Sequence, residues 1–171
     1  MSLPLPSVQT QQDVLGILTD VLIQTFADRV LVLVTQLGKV GSLVQVTTSS
    51  AAPAIPPLPP LPGSTDELVL PEPSASIVLT PLFGVPPPAL GATPEDAQTM
   101  QSIYVSQIAT LVWTQDPFTA GKPVVVGLAL KRPSSDGTDT ARAMFISVMK
   151  LVLEGLKKRE VPSAEPTSIN A

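Results

Sequence analysis

The chain contains no cysteine and no histidine, and its aromatic stock is one tryptophan, one tyrosine and four phenylalanines. Without cysteine there is no disulfide and no thiolate nucleophile. Without histidine, Ser-His-Asp chemistry is closed and most zinc or iron sites lose their usual donors. Basic residues are scarce over most of the length. Residues 1–120 hold two, Arg29 and Lys39, against nine acids, a net of −7, whereas residues 121–171 hold eight against five acids, a net of +3. Phosphate contacts need clustered Lys and Arg, and stacking platforms need several aromatics beside them, so nucleic-acid binding is not expected. The basic end suits a solvated helix face, or docking on an acidic protein surface. No run approaches the length of a membrane span. Met1-Ser2-Leu3-Pro4 lacks a basic region followed by an apolar core, so no secretory signal is expected. The absence of disulfides agrees with a reducing compartment, and the expected location is the cytoplasm, or also the nucleus.

What is present is a core. Apolar residues make up 44% of 171, enough for one modest domain, and twenty prolines cluster rather than spread. Val21, Ile23 and Thr25 alternate with Leu22, Gln24 and Phe26, and Arg29–Val34 is a β-branched apolar run too short for a helix. Ala27-Asp28 reads as the turn between them. Gly38-Lys39 suits a type II′ turn, and Ser42–Thr47 reads as the return strand of a hairpin, giving a three-strand meander. Ala51–Pro62 holds six prolines in twelve residues, which can neither continue a helix nor donate to a sheet and favour exposed polyproline II. Ser76–Phe83 is a fourth strand confined to an edge by Pro81.

Thr93-Pro94-Glu95-Asp96 has the form of a helix start: a threonine cap, proline at the first position and two acids at the positive end of the dipole. The spacing of Met100, Tyr104, Ile108, Leu111 and Val112 carries the helix to about Thr114. Val124–Leu130 is a further strand, with Val125, Gly127 and Ala129 forming a small side that a helix could approach. A second helix runs to about Arg159, with Ala141, Phe145, Val148, Val152 and Leu156 as its buried stripe. The expected fold is α+β, a mostly antiparallel sheet (a meander plus a later strand) with two main helices on one face. Residues 1–12 are expected to be a flexible N-terminus. Residues 13–158 form the domain, with a disordered proline-rich insertion at about 49–75 and a loop at about 84–92, and residues 159–171 form a disordered tail.

Candidate catalytic patterns fail on inspection. Gly38-Lys39 lacks the earlier glycine and the following Ser or Thr of a phosphate loop, where Leu33 and Val40 stand instead. Ser147-Val148-Met149-Lys150 has S-x-x-K spacing, but two of its members belong to the buried side of a helix and no companion motif accompanies it. Glu95 and Asp96 are accounted for by the helix start, and Asp66-Glu67 lies in a loop. Trp113 and Tyr104 are read as packing residues. No enzyme, metal or cofactor is expected.

The strands point to a partner. Arg29–Val34 and Val124–Leu130 are apolar on both alternating sets, so both faces of the sheet need cover. Two helices on one face leave the other, most simply for the sheet of a second subunit. The competing cover, the proline-rich segment, buries little.

Val30–Val44, VLVLVTQLGKVGSLV, resembles the hallmark segment of the proteasome assembly chaperone 3 family. There an apolar strand runs into T-Q, an apolar or aromatic residue, G-K, an apolar residue, glycine and T or S-L-V. The likeness extends back through Gly16, Thr19 and Phe26. It continues more loosely through Tyr104–Val112, Val124–Lys131 and the last helix, so it covers roughly residues 13–48 and 98–158. Gln36, Gly38, Lys39 and Gly41 match the motif, as interaction residues or as turn geometry. The resemblance implies a small α+β chaperone that pairs with a related fourth chaperone. The heterodimer would assist early formation of the 20S proteasome α-ring by contacting an α-type subunit, the fifth, without catalysis or cofactor; a homodimer is the form open to the isolated chain. The alternative is an adaptor whose Pro56, Pro59 and Pro62 present P-x-x-P ligands to SH3 or WW domains.

Overall fold

A computed structural model describes residues 7–36, 38–49, 68–131 and 137–160. The polyproline expectation for 51–62, the first six residues, Leu37 and the tail from residue 161 lie outside these. Six strands, β1 (Ser7–Val14), β2 (Ile17–Thr25), β3 (Val30–Thr35), β4 (Ser42–Thr48), β5 (Ile77–Phe83) and β6 (Val124–Ala129), form one sheet in the order β1-β2-β3-β6-β4-β5. Two helices, α1 (Pro94–Gln115) and α2 (Thr138–Glu160), complete an α+β fold. Every neighbouring pair is antiparallel except β3 with β6. Among the described residues no helix is long and apolar enough to cross a membrane.

The first strand corrects the expectation of a flexible start. Residues 7–14 pair with β2 in unbroken register. Leu15 and Gly16 both take positive φ, 54° and 80°, as a two-residue hairpin turn with matching twist requires. The Asp13 carboxylate accepts the Gly16 N–H at 2.7 Å. The strand was obscured because its outward residues, Gln9, Gln11 and Asp13, are polar and its inward Thr10 and Val14 are spaced four apart.

The meander holds for β2 and β3, whose turn at Ala27-Asp28 is closed by the Phe26 N–H on the Arg29 carbonyl at 2.8 Å. Beside it Arg29 bonds Asp28 at 2.7 Å, and this hydrogen bond holds the Asp28 carboxyl below its usual range. The expected hairpin of β3 with β4 is not formed. β6 lies between them, parallel to β3 and antiparallel to β4, so the pair is a split hairpin. The connection from β3 to β4 passes the end of β6 instead of making a two-residue turn. β5 is an edge strand, as Pro81 requires, with a register shift at Leu43/Val44. The expected loop at 84–92 carries a short 3₁₀ turn, Pro88–Leu90, that buries Leu90.

α1 starts as expected. The Thr93 hydroxyl accepts the Asp96 N–H at 3.1 Å and the Asp96 carboxylate accepts the Thr93 N–H at 3.3 Å, a reciprocal cap. Both helices pack on the face bearing Val21, Ile23, Val30, Val32, Val44, Val46, Val124, Val126 and Leu128. Gln101 donates to the Ser42 hydroxyl at 2.5 Å, tying α1 to β4, and Gly155 lets α2 settle against Ile23 and Thr10. The helices meet where Phe145 packs edge-on to Tyr104, with ring centroids 5.0 Å apart. Burial pushes the Tyr104 phenol well above its ordinary value. The buried stripe of α2 begins at Met144, because Ala141 is exposed. Arg159, the expected end of the second helix, sits in the last turn of α2, where it pairs with Asp116 and donates to the Thr25 hydroxyl at 2.7 Å. Trp113 anchors the α1–β6 connection by donating to the Lys122 carbonyl at 2.8 Å.

Candidate interaction surface

Alternation leaves a second face on the sheet, opposite the helices. The register aligns Leu22 of β2, Leu33 of β3, Gly127 of β6, Leu43 of β4 and Phe83 of β5 in one lateral row across five strands. Leu31 and Val125 lie beside that row. Around it stand Gln9, Asp20, Gln24, Gln45, Thr47 and Thr80 by the same alternation. An apolar centre with a polar border is the composition of a protein–protein contact. Leu22, Leu31, Leu33 and Leu43 are half-buried with no helix above them among the described residues, and Phe83 is 68% exposed.

Gly127 shapes the centre of this face. A Cβ there would lie 2.5 Å from Leu33 Cδ2, 3.1 Å from Leu43 Cδ2 and 3.2 Å from the Val40 carbonyl oxygen. Two leucines thus lean together over the glycine and the crossover passes beside them. The small side of β6 therefore admits a chain crossing, not a helix. The larger Val124, Val126 and Leu128 need the deep burial that the helices supply, at roughly 1.5–3 kcal/mol per fully buried side chain.

The four motif residues lie together in the crossover, with different jobs. Gln36 is 8% exposed; its amide N–H donates to the Thr19 hydroxyl at 2.9 Å and its amide oxygen accepts the Lys131 N–H at 2.8 Å. Its backbone N–H also bonds the Ala129 carbonyl at 2.8 Å. It thereby fastens β2 and the exit of β6 to the crossover, which makes it a structural residue. Gly41, at φ 69°, lies so close to β6 that a Cβ would meet the Leu128 carbonyl oxygen at 2.0 Å. Gly38, at φ 62°, has open space around it. Lys39 is exposed, and its backbone N–H reaches the Thr35 hydroxyl at 3.2 Å. Of the four, Lys39 presents a side chain to solvent beside the open face. The sequence reading missed Leu22, Leu43 and Phe83 as one surface; only the strand order brings them into a row.

The return of the proline-rich insertion is also placed. Leu68 and Leu70 pack against the helix-side core, and Gln107 of α1 donates to the Pro71 carbonyl at 2.8 Å. The chain therefore re-enters on the side away from the open face. Ser147-Lys150 of the S-x-x-K spacing lies along α2 with Val148 and Met149 fully buried between. Compared with family models and with curated proteins, the sequence matches none of either.

Proposed function

We propose that this chain is an assembly chaperone of the proteasome, working without catalysis as one half of a heterodimer with a related small chaperone. Its task is early formation of the 20S α-ring through contact with an α-type subunit, the fifth, in the cytoplasm or nucleus. The observation that carries the reading is the apolar row Leu22–Leu33–Gly127–Leu43–Phe83, left open opposite both helices. A sheet with two apolar faces and helices on one has a partner's shape built into it. The re-entry of the insertion on the helix side favours a second protein over self-coverage. The likeness of Val30–Val44 to the chaperone family supplies the identity of that partner, and it fits a crossover as well as it fitted a hairpin.

The test is affinity capture of the tagged chain from cells, with identification of what comes with it. A small chaperone and α-type subunits without mature particles are expected. Phe83→Ala is expected to reduce recovery of the small chaperone about five- to thirtyfold, because truncating an aromatic anchor that an interface buries costs about 1–2 kcal/mol. Removing residues 50–67 is expected to leave recovery intact, whereas an adaptor presenting P-x-x-P would lose its partner. Recovery of neither chaperone nor α-subunit defeats the proposal.

A further inference from the structure

The two edges of the sheet are built differently. β5 is guarded: Pro81 removes a donor and the register shift at Leu43/Val44 bends the strand. β1 carries no such guard. All eight of its residues pair with β2 without a bulge, and it holds no proline, glycine or lysine. Its charge is a single Asp13, already engaged with the Gly16 N–H. Thr10 and Val14 are buried beneath α2 and the core, so the strand is held firmly while no strand among the described residues pairs with its outer side.

The hairpin turn decides which backbone groups face out. Val14 and Ile17 close a two-residue turn, so they exchange ladder bonds, and the pattern then recurs at every second residue. Val8, Thr10, Gln12 and Val14 therefore direct their backbone groups to β2. Ser7, Gln9, Gln11 and Asp13 direct theirs outward, where a further strand can take them.

We propose that β1 is a pairing edge for a second copy of this chain, joined antiparallel about a two-fold axis perpendicular to the sheet. Such an axis keeps the helices of both copies on one side, so opposed residues must share a face. That puts the axis on a residue, and Thr10 and Gln11 are the two centres that leave most of the eight-residue strand paired. Centred on Gln11, the outward set pairs Gln9 with Asp13 and Gln11 with its own copy, and Val8 meets Val14 on the helix side. Centred on Thr10, Gln9 meets Gln11 and Ser7 meets Asp13. In both registers the outward backbone groups are the ones that face each other, and no two like charges are opposed. A self-complementary edge of this kind selects a second copy over an arbitrary strand. The product is a continuous sheet of two chains whose two open faces lie on the same side. This inference does not depend on the chaperone reading, since it uses the edge and leaves the face free.

Backbone pairing along one strand is a small interface, so association is expected in the range of roughly 10 µM to 1 mM. The experiment is amide hydrogen exchange of the full purified chain across that range, with its sedimentation followed in parallel. The amides of Gln9, Gln11 and Asp13 are expected to slow at least tenfold as concentration rises, while those of Val8 and Thr10 stay protected throughout. Gln11→Pro removes an outward donor, and the double variant Gln9→Glu, Gln11→Glu opposes like charges in both registers (with Asp13 as well in the Gln11-centred one) without touching the backbone. Each is expected to abolish the concentration dependence at the remaining outward amides, and the double variant gives the answer if the proline variant fails to fold. Outward amides that exchange fast at every concentration overturn the proposal. So does association that survives both edge variants but disappears on Leu31→Glu, which would place the contact on the open face. Protection that appears only when a different protein is added overturns the choice of a second copy.

Discussion

Gly38 and Gly41 stand in the same crossover with nearly the same backbone, φ 62° and 69°, yet a side chain would meet very different surroundings at each. An alanine at either position pays for left-handed backbone, about 1–2 kcal/mol. At Gly38 nothing lies within 4 Å of the new Cβ, so that is the whole effect. At Gly41 the Cβ would sit 2.0 Å from the Leu128 carbonyl oxygen and 2.9 Å from Ala129 Cβ. Both belong to the central strand and cannot swing away, so the crossover itself must lift. Overpacking of this kind adds about 1–3 kcal/mol, which brings Gly41→Ala to about 2–5 kcal/mol in all.

Urea unfolding followed by Trp113 fluorescence separates the two variants. With a slope of about 2 kcal/mol per molar, Gly38→Ala is expected to lower the midpoint by about 0.5–1 M and Gly41→Ala by about 1–2.5 M. The slope itself should not change. The difference between the variants measures how closely the chain crosses β6, because the backbone term cancels. Equal losses would refute the split hairpin, since a plain two-residue turn places neither residue against a third strand.

Gln36→Ala deprives the buried Thr19 hydroxyl of its donor and the Lys131 N–H of its acceptor, so about 2–4 kcal/mol of stability should disappear in the same assay. Thr10→Val should act in the opposite direction. The Thr10 hydroxyl oxygen is buried without a hydrogen-bond partner, and an isosteric methyl removes that penalty, raising the melting temperature by an amount equivalent to about 1 kcal/mol. Tyr104 makes stability depend on pH at the alkaline end. Its folded pKa is raised by burial above the unfolded value of about 10, so its contribution is complete below that pH and declines as the pH rises further. In Tyr104→Phe the portion of the alkaline slope due to this group should be absent; an identical slope in both proteins would contradict burial of the ring.

The elements themselves were readable from local chemistry. Alternation marked β2, β3 and β6, Pro81 marked an edge, and Thr93 with Asp96 marked the start of α1 to the residue. The arrangement was not readable, because it rests on pairings between distant segments. Gly38-Lys39 reads as a hairpin turn since glycine at positive φ serves a tight turn and a crossover equally well. Nothing in residues 30–44 reports that Val124–Ala129 will enter between the two strands. The small residues of β6 suggest a close helix, but in the fold their neighbour is a different one. Helix packing follows the larger apolar set, and the space over Gly127 goes to Leu33, Leu43 and the passing backbone. β1 escaped notice because an edge strand with a polar outer side has little hydrophobic signal to offer.

The split hairpin ties the candidate surface to the completeness of the fold. Leu33 and Leu43 are near in sequence, but they adjoin only through Gly127, which arrives on a strand made of residues 124–129. Until that strand inserts, β3 and β4 each lack a neighbour on one side, and the row from Leu22 to Phe83 is broken at its middle. Pairings of such long sequence separation form late, since the loop entropy must be met before the contacts reward it. A partner that reads the whole row therefore distinguishes a finished chain from an unfinished one. Gln36 strengthens the distinction, because its two side-chain hydrogen bonds need β2 on one side and the exit of β6 on the other. The crossover that carries the motif is thus fixed in place by the same strand that completes the surface, and Gly41 lets it lie low enough for both to fit.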